Sequence, residues 1–570
     1  MYHFTIYIKQ IHYIKYICII LSFSILFACK RDDDVIPTLD YSFKSYLLEN
    51  FDLDGDGAIS PEEAALITKI DCSDRRTIYR LNGIEDLPNL EELICSNILI
   101  SSINVSKNPK LKTLICDGTY IRVINISNNP LLETLSCYNV ETLDSVYLNT
   151  AIKKLDIRGH RMDSVNFPNN KSLKELYCGG PRLSVLDVSM SVLEVLDCSD
   201  TKLSSLNIEG CTSLKSLSID AEGLFLDLSN CPNLEELYVI STENLDVSNS
   251  PLLKTLHCVN SIFVGMDLAK NPLLENLKLE GTNQVFIDIS KNFHLINVEL
   301  FIPIRHTSLD LSNRTSLKTF SYREWGGGGQ TLETLNLSGC TALESLNLEY
   351  IRLVSLNVSG CPKLSVLNCY NSGLSELNIK GCTNLTEIDC RGNNLTELEL
   401  AECTKLTKLN CSGNKLTSLK INSTNFTMLN CESNFITELN VRNQTLLEVL
   451  YCNDNKISSL DLLGCSSLVE LDCRNMLSLT SLILADCRAL KILYCSNASL
   501  TSLNVNVCTE LTHLYCAANR LQPSLDLSKC PELIELNCIS NPGLTELILN
   551  KDHSIDPLYK DSHTQIVIAN

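Results

Sequence analysis

The chain has 570 residues, 44% of them hydrophobic, and its 47 Lys and Arg are outnumbered by 67 Asp and Glu for a net charge of −20. A surface of that sign disfavours nucleic acid and anionic membranes as partners, and it also keeps a leucine-rich chain soluble. Repetition at about 21 residues overrides the domain count that length alone suggests, because a solenoid grows by stacking units and not by thickening one core.

At the N-terminus, Lys9 and Lys15 precede an apolar run over 17–27 that is too short for an ordinary spanning helix, so residues 1–28 read as a signal peptide. Its end, Leu26-Phe27-Ala28-Cys29, resembles a bacterial lipobox, which implies a diacylated Cys29; the alternative is a plain secretory peptide with an incidental cysteine. The next residues, Lys30-Arg31-Asp32-Asp33-Asp34, resemble the acidic signal that sends Bacteroidetes lipoproteins to the outer cell surface. Together these resemblances imply an outer-membrane lipoprotein facing the cell exterior and touching the membrane only through its lipid. Residues 29–40 would be a tether.

Residues 41–69 read as a small helical cap. YSFKSYLLENF, over 41–51, has helical spacing, and it runs into a twelve-residue loop that matches an EF-hand at each ligand position. Asp52, Asp54 and Asp56 offer carboxylates, Ala58 a carbonyl, Ser60 a water-bridged position and Glu63 a bidentate carboxylate, a set of hard oxygens suited to one Ca2+. Ser60, Pro61 and Glu63 also form a helix start, which predicts an exiting helix to about Thr68. A single loop of this kind reads as a structural calcium lock over the first coil, with a calcium-sensing switch as the alternative.

From residue 70 to 550 the chain repeats L-x-x-L-x-C-x-x-N-x-L-x-x-L-x-L-x-x-C, with unit starts from Leu90 to Leu533 giving about 22 coils. Residues 385–405, LTEIDCRGNNLTELELAECTK, show the pattern clearly. The side-chain period of two in Ile388-Asp389-Cys390 turns Ile388 and Cys390 inward and Asp389 outward, so stacked units build a parallel sheet of very short strands. Asn393, Asn414, Asn434, Asn455 and Asn519 follow where the chain turns, placed to bond backbone groups of two coils. The return stretch is too short for full helices, so extended or 3₁₀ pieces fit it, and residues 551–570 close the stack.

This template matches the consensus segment of the leucine-rich-repeat family, with cysteine at its third apolar position, and the chain resembles internalin-like surface proteins and the cysteine-bearing leucine-rich-repeat lipoproteins of Bacteroidetes. The resemblance implies a right-handed solenoid with little helix, a concave binding face and an adhesin-like role.

Of 28 cysteines, fifteen hold the strand position and ten close the return half, both internal; buried free thiols fit best, with disulfides and metal binding as rivals. The interval from Leu317 to Leu343 is 26 residues, and its excess carries Trp325, the only tryptophan, among four glycines. Insertions in repeat arrays emerge as surface loops, so Trp325 beside Tyr322 and Arg323 either grips a ligand or plugs a mismatched coil. The outward column includes Tyr177, Asp197, Ser218, Tyr238 and His257, and later Tyr451, Asp472, Tyr494, Tyr515 and Asn537. Aromatic and carboxylate side chains in one column suit a protein or glycan ligand, although exposed tyrosines are also ordinary on sheets. Asp144-Ser145-Val146 and Asp163-Ser164-Val165 resemble the Bacteroidetes O-glycosylation signal.

Nine scattered histidines, with no His-Glu-x-x-His or Gly-x-Ser-x-Gly, offer no catalytic constellation. The expectation is a monomeric, non-enzymatic, surface-anchored binding module. A scaffold or accessory lipoprotein of a surface nutrient-capture complex is the alternative.

Overall fold

The computed structural model describes residues 41–569, apart from 166, 168, 169, 190, 191, 221, 243, 244, 262–266, 282–286, 303, 305 and 325–331. The signal peptide, Cys29, the tether and Trp325 therefore lie outside the described residues.

The short inward-outward triplets stack as the period of two requires. Among the described residues, 24 strands form one long parallel sheet, most of them three residues long, such as Glu387–Asp389, Lys408–Asn410 and Met428–Asn430. Each strand pairs with the equivalent of the next coil, so that Leu367, Ile388, Leu409, Leu429 and Leu450 fall in one row. The return halves are short strands in sheets of two to four on the other side, with 3₁₀ turns at Ile84–Asp86 and Leu268–Lys270. The fold is thus a parallel β-solenoid with little helix. Its core is the narrow space between the two sides, filled by leucine, isoleucine, valine and cysteine.

All 26 described cysteines are buried free thiols. Those that close the return half also donate: the Sγ of Cys361, Cys382 and Cys465 lies 3.1–3.2 Å from a carbonyl of the preceding coil. Asparagines take this position elsewhere. Asn129 Nδ2 donates to the carbonyls of Val105 and Asn108 at 2.7 and 3.0 Å, and Asn292 does the same to Leu268 and Asn271.

A second asparagine row stands at the turn after the long-sheet strand. Asn414 Nδ2 donates to the carbonyls of Cys390 and Cys411 at 2.9 and 3.1 Å, while its Oδ1 accepts from the Leu395 amide at 3.0 Å. Each such asparagine ties its coil to the preceding one through both its amide and its carbonyl. The residue just before each of these asparagines adopts positive φ, as in Gly392 at 67°, Gly413 at 63° and Asp454 at 55°. Even Tyr350, at 54°, takes this left-handed conformation, which a bulky side chain rarely adopts.

The N-terminal end is covered. Helix α1 (Tyr41–Phe51) buries Phe43, Tyr46 and Leu47 against the first coil, and Tyr46 Oη donates to the Asp71 carbonyl at 2.9 Å. Helix α2 spans only Pro61–Ala64, shorter than predicted. The reason is that the Thr68 carbonyl already accepts from the Glu91 and Glu92 amides at 2.8 and 3.0 Å, so the chain must be extended by that point. At the other end, Leu558–Tyr559 joins the long sheet and Gln565–Ile568 the second side, adding one more coil whose Ile566, Val567 and Ile568 are exposed.

Candidate functional site

The solvent face of the long sheet carries three outward positions per coil, and aromatic residues recur along it. Register places Tyr451, Asp472, Tyr494 and Tyr515 on successive strands. The rings of Tyr494 and Tyr515 stack with centroids 4.9 Å apart and planes 10° off parallel. Burial, reinforced by Glu470 for Tyr451 and by Glu535 for Tyr515, pushes both phenols up to about 12. They remain neutral hydrogen-bonding groups at physiological pH.

Asp472 departs from the sequence reading. It is only 5% exposed, because Arg474 Nη2 reaches its Oδ2 at 2.6 Å and Nε its Oδ1 at 3.0 Å, covering the carboxylate from two residues away. The Arg474 guanidinium in turn lies 4.7 Å from the Tyr494 ring centroid. Asp472 therefore positions Arg474 and presents little surface of its own. The arrangement recurs at Asp156 and Arg158, where the guanidinium sits 5.1 and 5.0 Å from the rings of Tyr138 and Tyr177. It recurs again at Asp389 and Arg391, with Tyr370 at 4.7 Å. Sequence reasoning missed this trio; its signal is Asp-x-Arg with a tyrosine one period away.

Tyr322, read as neighbour to an exposed loop, is fully buried in the strand Thr319–Arg323, where it takes the inward place that cysteine holds in other coils. Arg323 lies 5.6 Å from the Tyr350 ring, which packs edge-on against Tyr370 at 4.9 Å. The two Asp-Ser-Val triplets fall on the second side, and Arg122 occupies the Asp144 carboxylate at 2.7 Å.

In the cap loop, carboxylate oxygens of Asp52, Asp54 and Glu63 lie within 4.8 Å of one another. Asp52 accepts from the Gly55 and Gly57 amides at 2.7 and 3.0 Å, Asp54 from Asp56 at 3.1 Å, and Asp56 from Ala58 at 2.8 Å. Glu63, 7% exposed, accepts from the Ser60 amide at 2.8 Å and the Leu53 amide at 2.6 Å, bonds that hold its carboxyl below the usual range. The Ser60 hydroxyl completes the capping box. Asp56 stands outside the three-carboxylate group, and the Ser60 side chain is engaged with Glu63.

No helix among the described residues is long and apolar enough to cross a membrane. Repeat length, the row of inward leucines and the asparagine turns give the fold of a leucine-rich-repeat solenoid. Residues 383–423 match the family model for leucine rich repeats in two copies. No curated protein matches the chain. Among solved structures, the Arabidopsis receptor kinase HAESA, in complex with the peptide hormone IDA and the co-receptor SERK1, is similar at 18% identity and a TM-score of 0.55, over 85% of this chain and 91% of that one. A TDR receptor is similar at 16% identity and a TM-score of 0.57, over 83% and 92%. InlJ from Listeria monocytogenes, whose functional domain includes a cysteine ladder, aligns at 19% identity and a TM-score of 0.32, over 86% and 74%. At these identities the likeness to HAESA and to the TDR receptor is one of fold.

Proposed function

We propose that this protein is a non-enzymatic binding module that takes a protein ligand on the concave, solvent face of its long sheet, held at a bacterial cell surface by a lipid on Cys29. The observation that carries the reading is the stacked pair of Tyr494 and Tyr515 beside the Arg474 guanidinium, a rigid aromatic platform fixed to the scaffold. Tyrosine and arginine dominate interface energetics because they bury large area at small entropic cost. The face is built from strands and not from loops, so its side chains are already ordered before a partner arrives. The leucine-rich-repeat fold commonly mediates protein–protein binding, which agrees with this use.

Asp52, Asp54 and Glu63 fit a calcium ion because three carboxylates converge on one point; Asp56, Ala58 and Ser60 of the same loop would complete the oxygen set. A bound ion would supply positive charge to that loop and fix α1 against α2.

The test is capture of partners from host matrix and, separately, from the producer's own membrane, using the full chain. Tyr494→Ala with Tyr515→Ala is expected to weaken a captured partner by about 2 kcal/mol or more, the cost typical of aromatic anchors. Unchanged affinity for every captured partner would refute this face as the site.

A further inference from the structure

A second feature of the long sheet lies well away from the stacked tyrosines. Between the outward positions of the strands Ser216–Asp220, Glu236–Ile240 and Thr255–Ser261 is a cavity of about 200 Å³, lined by Ser199, Ser218, Asp220, Tyr238, Ile240 and Val259. Its walls are largely apolar, and Asp220 is the one carboxylate among its lining residues. Asp220 Oδ2 accepts from the Asp200 amide at 3.0 Å, whereas Oδ1 is shielded from solvent and has no hydrogen-bond partner among the described residues. A buried carboxylate oxygen left without a donor is costly, so this one is poised for a donor that the described residues do not provide.

The surrounding charges point the same way. Neither Asp200 nor Asp220 forms an ion pair among the described residues, and nearby Asp197 is already engaged by Arg158 at 3.3 Å and by the Ser199 amide and hydroxyl at 3.1 and 2.5 Å. Burial and the neighbouring Asp200 and Asp197 raise the Asp220 carboxyl above its ordinary range, a penalty that an incoming cation would reverse.

Resting on the binding-module reading above, we infer that this cavity receives the side chain of a lysine from a polypeptide partner, with its ammonium on Asp220 Oδ1 and its alkyl stem along Tyr238, Ile240 and Val259. Lysine fits better than arginine because only one carboxylate oxygen is free: a guanidinium fork needs two acceptors, whereas an ammonium is a compact point charge. The apolar walls match the four methylenes of the stem. A polypeptide fits better than a free amine because a second cavity of about 260 Å³ adjoins the first across Tyr238 and His257. Its lining includes Lys278, which already pairs with Glu299 at 3.4 Å, and Asn276, which accepts from Asn297 at 2.8 Å, so the group it offers to a main chain is His257 Nε2, buried without a partner among the described residues. The net charge of −20 favours encounter with a basic segment.

The experiment measures fluorescence anisotropy of the full chain with fluorescein-labelled, blocked heptapeptides of alanine that carry lysine, norleucine or acetyl-lysine at the centre. The lysine peptide is expected to bind at least about tenfold tighter than the other two, by the strength of a charge-assisted contact in a partly dry site. Asp220→Asn, which keeps an acceptor for the Asp200 amide, is expected to erase that preference. Val259→Trp, which fills the cavity from its wall, should do the same without touching the carboxylate. Equal binding of lysine and norleucine peptides, absence of lysine-peptide binding up to millimolar concentration, an undiminished preference in Asp220→Asn, or binding of cadaverine as tight as that of the peptide would overturn the inference. The Tyr494→Ala with Tyr515→Ala variant separates the two readings. Unchanged partner capture in that variant with the lysine preference intact refutes the tyrosine platform alone, whereas loss of capture in that variant together with no lysine preference in the wild type refutes the cavity alone.

Discussion

Each turn asparagine performs two jobs, and both are visible at Asn414. Its amide donates to carbonyls of its own coil and the preceding one, and its carbonyl accepts from the preceding coil's Leu395 amide. Removing it leaves buried backbone groups without partners, each costing roughly 1–3 kcal/mol. Asn414→Ala is therefore expected to destabilise the protein by about 2–4 kcal/mol, read from the midpoint of chemical denaturation, whereas an exposed residue of the same coil such as Lys415 should tolerate alanine within about 0.5 kcal/mol. This row was legible because asparagine recurs at one offset. The other row, with Asn108, Asn129 and Asn271, was not read as equivalent to the return-half cysteines. The signal existed: Asn-Pro at 108, 129 and 271 takes the place of Cys-Pro at 231, 361 and 530. Asp472 was misplaced for a different reason. Its burial depends on Arg474 and on a tyrosine one coil on, contacts that a period-two reading of a single strand does not contain.

At the scale of elements, the cap is held by side chains of α1 and by the backbone that follows α2. Tyr46 bonds the Asp71 carbonyl, Arg75 pairs with Glu49 at 2.9 Å and lies 4.9 Å from the Tyr46 ring, and Asn89 bonds the Ala65 carbonyl at 2.7 Å. The loop joining α1 to α2 has few contacts of this kind, and its conformation rests on carboxylates folded back onto its own amides. Calcium is expected to bind the full chain with a Kd on the order of 10⁻⁴–10⁻³ M by calorimetry, and to slow hydrogen exchange of the Leu53 and Ser60 amides. Asp52→Asn should weaken binding at least about tenfold; heat-silent titration of the wild type at millimolar calcium would sink the assignment. The gathering of acidic side chains in the loop and the capping box were legible as a linear motif. The length of α2 was not, since it is set by where the sheet begins at Thr68.

Across the whole molecule, the period made the architecture legible and left the chemistry of the surface largely hidden. Twenty-four strands in register follow from leucines and cysteines spaced by about 21 residues, and the return strands follow from a span too short for helices. The three Asp-Arg-Tyr clusters and the Asp220 cavity arise between coils, where residues about 20 apart in sequence become neighbours. A linear reading finds such pairs only when it already knows which columns face out. The outward tyrosines were identified as a column; what each one stacks on was not.

The interlocking rows carry a consequence for distance. Because neighbouring coils pair strand to strand at a near-constant spacing, the solenoid behaves as a ruler, and the Asp220 cavity and the Tyr494–Tyr515 pair are two marks fixed on it. Doubling residues 385–405 would insert one graduation between those marks and lengthen the gap by about 4.8 Å while leaving each mark intact. A partner that engages only one mark should bind the lengthened chain as before. One that spans both should lose most of the advantage of simultaneous contact, a drop that side-by-side affinity measurement on the two chains would reveal. The protein would then be selecting its partner by the separation between features as well as by their chemistry.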